Sequence, residues 1–297
     1  MADQAMEPAP PTISVILCTH NGARHICEQV DAVLGQEGDI PFELVVVDND
    51  STDGTASLVR AHVGDDPRVR IVTATERHRL GYARNVGANA ARAELITFVD
   101  DDDRVGPGWL AALAADLESH PVVAMRLILD EINDPVAAQS RGHRQVHGID
   151  HFGGIPVASF IALPKAMFLG AGGNDELLPS AEDVDFAIRL YETYGIEPHW
   201  CPDATYHYRL RPDPESAFRQ GLSYGKAMPT VYRRWRHHCP QPTTRRDAVA
   251  ALRDSLRLLV MTPLVARDPK RRIRWSYRSG IRLGRVIGSV RARIVYL

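Results

Sequence analysis

Within the first hundred residues, short runs of β-branched apolar residues alternate with amphipathic stretches, and the runs end in polar groups. Residues 13–18 (ISVILC), 42–47 (FELVVV) and 95–99 (LITFV) are continuous apolar runs, as expected of strands buried on both faces, and residues 69–73 add another. Between them, Ile26, Val30, Val33 and Leu34 follow helical spacing, with Asn21 as a candidate cap. Residues 53–63 and 82–92 are predicted as further helices, and another opens at Pro107 and ends before Pro121. Such alternation predicts an α/β fold with a Rossmann-like, mostly parallel sheet flanked by helices. Ligands of such sheets sit beyond the carboxyl ends of the strands. Further along, residues 157–163 read as a strand and 182–194 as a helix.

Three of these strand ends carry polar groups: Thr19, His20 and Asn21; Asp48, Asn49 and Asp50; and the run Asp100 to Asp103. Adjacent carboxylates repel one another, so the run is costly unless a cation or donor groups compensate. Hard divalent cations are held by one or two carboxylates together with substrate phosphates. The run therefore suggests a metal-bridged diphosphate. Neither a phosphate-binding GxxxxGK[ST] loop nor a GxGxxG after the first strand is present.

The segments SVILCTHNGA (14–23), LVVVDNDSTDGT (44–55), GYARNVGANAA (81–91), LITFVDDDD (95–103) and GGNDELLPSAEDVDFAIRL (172–190) occur in an order and spacing that resemble family 2 glycosyltransferases of the GT-A fold. The resemblance spans roughly residues 12–210. It implies an inverting transfer of sugar from a nucleotide-diphosphate sugar to an acceptor hydroxyl, with a divalent metal, Mn²⁺ or Mg²⁺. Thr19, Asp48 and Arg84 match positions that hold the nucleotide base. Asp100 and Asp102 match the Asp-x-Asp motif for ribose and metal-bound diphosphate, with Asp101 in the same nucleotide-sugar site. Asp102 is the metal candidate, and His207 matches a histidine that often completes the metal site. A lone histidine is also commonly structural. Where the family's second motif most often has Gly, this chain has Asp50.

Asp183 matches the family's catalytic base, supported by Glu182 and Asp185. The residues alone allow another reading: Ser180 to Asp183 fits a capping box, and Asp185 and Arg189 fit an ordinary i, i+4 pair. An aspartyl phosphatase or phosphotransferase also places Asp-x-Asp after an apolar strand, but normally after the first one. A non-catalytic nucleotide-sugar or membrane-binding protein would keep Thr19, Asp48 and Arg84 and could spare Asp183.

The net charge of −2 is an average over two unlike parts. Residues 267–297 carry ten Lys/Arg against one Asp, a balance of +9, which leaves −11 for the remainder. From Glu215 onward the pattern is three basic helical segments. The last has Ile273, Tyr277, Ile281, Val286, Val290, Ile294 and Leu297 near one face, with Gly280, Gly284 and Gly288 arguing against a long free helix. This tail either packs on the acidic body or lies on an anionic membrane surface, which would suit a cell-envelope or lipid-linked glycan acceptor. Few aromatics interleave with the arginines, so nucleic acid is not an expected partner. The expected organisation is a disordered segment at 1–11, a catalytic domain at 12–210 (nucleotide half about 12–104, acceptor half about 105–210) and a helical basic region at 211–297. The four cysteines have no paired spacing, and no apolar run reaches the roughly 18 residues of a membrane span. The expected location is cytoplasmic, peripheral at the inner face of the cell membrane if the tail docks there.

Overall fold

The computed structural model describes residues 10–141, 149–238, 253 and 268–296. The N-terminal part is β1 (Ile13–Thr19), α1 (Ile26–Leu34), β2 (Phe42–Asp48), α2 (Thr55–Val63), β3 (Val69–Thr73), α3 (Leu80–Ala90) and β4 (Leu95–Asp100). Then follow β5 (Arg104–Val105), α4 (Trp109–Leu117), β6 (Val123–Ile128), α5 (Pro135–Arg141), β7 (Ile149–Phe152), β8 (Ile155–Ala158), β9 (Ile161–Pro164) and α6 (Lys165–Gly170). The chain continues through α7 (Glu182–Tyr194), β10 (His199–His207), α8 (Pro214–Trp235) and α9 (Pro269–Ala292).

Eight strands form one sheet in the order β3-β2-β1-β4-β9-β6-β10-β5. The first four are mutually parallel, β9 runs antiparallel to β4 and β6, and β10 is parallel to β6. Alternation inside the apolar runs assigns the two faces. Ile13, Val15 and Leu17 pack on one side with Ile26, Val30 and Leu113, whereas Ile16 and Cys18 pack on the other with Ala83, Phe168 and Phe186. Gly87 lets α3 approach closely, because a β-carbon there would stand 2.9 Å from a Val47 methyl. The run predicted as one strand at 157–163 is split between β8 and β9 by Ser159 and Phe160.

The basic C-terminal helix packs on α8 with parallel direction, and small residues make the seam. Its buried residues are Ile273, Ser276, Gly280, Gly284, Gly288 and Ala292, while Val286 and Val290 are exposed. The apolar face expected from sequence is thus corrected: the glycines lie at the contact, and their helix cost is offset by backbone-to-backbone packing. Arg274 donates to the backbone oxygens of Ser140 and Gln139 on α5. Among the described residues, no helix is long and apolar enough to cross a membrane. The segment expected at 1–11 lies mostly, and the middle C-terminal helical segment almost wholly, outside the described residues.

Candidate active site

Parallel register brings the polar strand ends level. Thr19 stands opposite Asp48, and Cys18 opposite Asp100. The loops beyond them lock together: Asn21 accepts from the Thr52 backbone at 2.8 Å, and Asp53 accepts from Ala23 at 3.1 Å and Thr55 at 3.0 Å. Asn21 is therefore a loop tie and not the cap of α1, whose N-cap is His25. Asp48 accepts from Ser51 at 3.1 Å, and the buried Asn49 amide donates to Arg77 at 2.7 Å. Asp50 has φ of 62°, the left-handed region that glycine enters freely and aspartate tolerates. Backbone conformation thus accounts for a glycine preference at that position.

The four aspartates turn in different directions, which relieves part of their mutual repulsion. Asp100 accepts from Arg84 Nη2 at 3.1 Å, and burial outweighs that cation to push its carboxyl up. Asp101 accepts from the Thr19 hydroxyl, and burial, with Asp102 and Asp100 adding charge, pushes it up to about 7. Asp102 accepts from Arg211 Nη1 at 2.6 Å. Asp103 is fully buried, accepts from the Arg209 backbone at 2.6 Å, and is pushed well up by burial and its neighbours. This crowded carboxylate edge fits the hard-cation chemistry expected of it.

Arg84 is buried on α3 and reaches Glu182 Oε1 at 3.2 Å, across 98 residues of chain. Burial raises Glu182 to about 7, with Asp183 adding to the rise and Arg84 opposing it. The helix carrying these acids begins at Glu182 with Ala181, at φ 60°, as its N-cap and no side-chain cap. Ser180 instead donates to the Ser223 carbonyl at 3.1 Å. The capping-box reading is therefore overturned, and Asp183 lines a cleft, where it accepts from the Ser159 hydroxyl. Asp185 is not on a solvated face either. It is 0% exposed and accepts from Arg189 Nε at 2.9 Å, Arg234 Nη1 at 2.7 Å and Trp235 Nε1 at 2.8 Å.

His207 is the last residue of β10. Its Nδ1 faces Glu131 at 3.4 Å beside Arg104, and burial lowers its pKa, while the carboxylate of Asp102 faces Arg211. Successive residues on a strand point to opposite faces, so His207 parts company with Tyr206, whose hydroxyl accepts from the Asp100 backbone at 2.9 Å. Among the described residues, the ready-made trio of converging metal-ligand side chains is Glu192, His237 and His238, at the C-terminal ends of α7 and α8.

Three clefts reach the aspartates; one, of about 570 Å³, opens between Asp101, Asp102 and Asn133, and the other two concern the site most directly. Of these two, one of about 280 Å³ is lined by Thr19, His20, Asn49, His78 and Asp101. The other, of about 620 Å³, is lined by Arg84, Ser159, Glu182, Asp183, Tyr224 and Arg285. Leu80, Asp100, Asp102 and Arg211 belong to both. Arg84 lines the cleft with Asp183 and reaches Asp100, which both clefts share. Sequence reading missed Arg211, whose signal is the alternation of arginines in YRLRP: Arg209 reaches Glu28 at 2.6 Å and Arg211 reaches Asp102. Ser159 and Arg285 had no signal in their local sequence.

The family model described as Glycosyl transferase family 2 matches residues 14–164. The chain belongs to this family. Among its relatives, the succinoglycan biosynthesis protein ExoO of Rhizobium meliloti (strain 1021) is 34% identical over 134 residues, covering 45% of this chain and 36% of that protein. An uncharacterized protein, MT1568, of Mycobacterium tuberculosis (strain CDC 1551 / Oshkosh) is 30% identical over 209 residues, covering 63% of this chain and 64% of its own. The matched regions thus span between about a third and two thirds of these relatives. In fold, the chain is similar to the mannosyltransferase PcManGT from Pyrobaculum calidifontis, solved with GDP-Man and Mn²⁺, at TM-score 0.63 and 20% identity over 94% of this chain and 90% of that one. S. aureus TarS 1-349 gives TM-score 0.55 at 19% identity over 96% and 93%. The family 2 chain thus has the GT-A type α/β fold expected of it.

Proposed function

We propose that this family 2 chain is an inverting glycosyltransferase that moves a sugar from a nucleotide-diphosphate sugar to an acceptor hydroxyl. One observation carries the reading: the cleft holding Thr19 and the cleft holding Asp183 share Asp100, Asp102 and Arg211 at their junction. A donor in the smaller cleft would present its diphosphate to that junction and its anomeric carbon toward Asp183. Relatives and structural neighbours named for glycan synthesis and nucleotide sugars support this assignment.

The nucleotide lies against Thr19, Asp48, Asn49 and Asp101. Asp100 and Asp102 would hold a divalent cation, Mn²⁺ or Mg²⁺, which when bound supplies Lewis-acid neutralisation of the departing diphosphate. Arg211, between both clefts, is the protein's own cation for those oxygens. Asp183 takes the acceptor hydroxyl proton as the glycosidic bond forms and the bond to diphosphate breaks on the opposite face. The anomeric centre inverts in that one displacement, and the electron pair leaves with the diphosphate. Ser159 orients the Asp183 carboxylate, and Arg84 fixes Glu182 beside it. Residues 12–210 form the catalytic unit in this reading, and α8 and α9 complete the acceptor side. The acceptor is a glycan, as the succinoglycan relative suggests.

A panel of nucleotide sugars, incubated with glycan acceptors and either Mn²⁺ or chelator, tests the proposal. Metal-dependent nucleotide release from one donor is expected, falling by a factor of about 10² to 10⁴ in Asp183→Asn. Release that is indifferent to Asp183→Asn would refute the base assignment, and an inverted product anomer, read by NMR, is required.

A further inference from the structure

The C-terminal helices form one wall of the cleft that holds Asp183: Tyr224 and Met228 come from α8, and Tyr277, Ile281 and Arg285 from α9. Backbone contact fixes this wall, since a β-carbon on Gly225 would stand 2.9 Å from both the Arg285 nitrogen and the Gly284 α-carbon. Three arginines face the cleft, and two are neutralised within the site. Arg84 lies between Asp100 and Glu182, and Arg211 holds Asp102. Arg285 differs. Its guanidinium carbon stands 5.1 Å from the centroid of the Tyr296 ring, and its Nε is buried without a hydrogen-bond partner. A ring face attracts the charge but does not replace a carboxylate as hydrogen-bond acceptor.

A planar guanidinium held by aromatic packing on a cleft wall, with no acid paired to it among the described residues, matches a carboxylate or phosphate. The neighbouring surface is mixed: tyrosines can lie against a sugar ring, and Met228 and Ile281 are apolar. We propose that Arg285 selects the acceptor, and that the acceptor carries an oxyanion, phosphate or carboxylate, close to the hydroxyl presented to Asp183. This rests on the glycosyltransferase reading above and deepens it. The basic tail then has a site-directed role: α9 delivers a cation to the acceptor, with Tyr277 and Ile281 beside it. The oxyanion has two sources, a lipid-linked phosphate or a free sugar acid or phosphate.

The test is calorimetric titration of the full chain, saturated with UDP or GDP and Mn²⁺ so that the donor site is filled. The probes are octyl phosphate, glucose 1-phosphate and octyl glucoside. An anionic probe should bind at least tenfold more tightly than octyl glucoside; tighter octyl phosphate assigns the lipid source, and tighter glucose 1-phosphate the free sugar phosphate. Arg285→Gln should abolish the preference and Arg285→Lys keep part of it, whereas Arg291→Gln, an exposed change on the same helix, should leave it intact. Equal binding of all three probes to the wild type, or a preference that survives Arg285→Gln, overturns the inference. Failure of the wild type to bind either nucleotide overturns the glycosyltransferase reading with it. Nucleotide binding without anion preference overturns the acceptor inference alone.

Discussion

The indole Nε1 of Trp235 donates at 2.8 Å to Asp185, a carboxylate wholly withdrawn from solvent. Arg189 and Arg234 complete its set of donors, so one acid in the first turn of α7 fastens the far end of α8. Asp183 stands two residues earlier in the same turn. The proposed base is thus positioned by the docking of a C-terminal helix. Asp185→Asn removes the charge that two guanidiniums share while keeping the shape. Urea unfolding should show a loss of about 2 to 3 kcal/mol, toward the low end for a buried pair because Arg234 retains access to water. A loss below about 0.5 kcal/mol, the level of an ordinary surface change, would contradict this anchoring role.

Glu182 provides a pH signature of stability. Its carboxyl is raised from 4.5 to about 7 in the folded chain, first by burial and then by Asp183. Between those values the unfolded chain has released the proton and the folded chain retains it, so stability falls as pH rises from about 4.5 to 7 and levels off above. A shift of that size corresponds to at most about 3 to 4 kcal/mol. Glu182→Gln has no proton to lose and keeps an oxygen for Arg84. Its denaturation midpoint should therefore vary less than the wild type's across that window, with the variant gaining most at pH 8. Parallel pH profiles for the two proteins would rule out a raised Glu182.

The N-terminal part of the fold is legible because its physics is local. Buried parallel strands read as apolar runs, so residues 13–18, 42–47, 69–73 and 95–99 fall within β1 to β4, and α7 is bounded at Glu182 and Tyr194 as its pattern predicts. Strands β6 and β10 were not legible: β10 mixes His199, Asp203 and Thr205 with apolar residues and has an irregularity between Cys201 and Thr205. Site partners separated by long stretches of chain were also beyond pattern reading. Arg84 meets Glu182 only after the sheet has closed, and Asp102 meets Arg211 from 109 residues away. The buried face of α9 was misread for a different reason. Hydrophobic spacing selected Val286 and Val290, whereas the seam is built from the small residues Gly280, Gly284 and Gly288.

Asp50 permits a test of backbone against charge. At φ 62° it occupies a conformation open to glycine, and its carboxylate stands 3.5 Å from an exposed His78. Exposed pairs of this kind contribute little. Asp50→Gly should leave stability unchanged or raise it by up to about 1 kcal/mol, since relief of the left-handed strain is partly offset by the freer unfolded chain. If donor affinity rises as well, the Asp50 charge opposes the diphosphate; a thermal midpoint that falls by several degrees would refute the backbone account.

The seam between α8 and α9 separates packing from hydrophobicity. A β-carbon on Gly284 would lie 2.8 Å from the Gly225 α-carbon, so Gly284→Val has to push the helices apart even though it adds apolar surface. Overpacking of this kind costs about 1 to 3 kcal/mol. Val286→Ala, at a side chain 53% exposed, should cost less than about 0.5 kcal/mol although it removes apolar surface from the same helix. Melting curves on the two variants therefore have opposite expectations from those of a helix that buries its valines. Because α9 brings Arg285 to the Asp183 cleft, Gly284→Val should also weaken binding of the anionic probe. A Gly284→Val protein as stable as the wild type, alongside a destabilised Val286→Ala, would show that the valine face makes the contact.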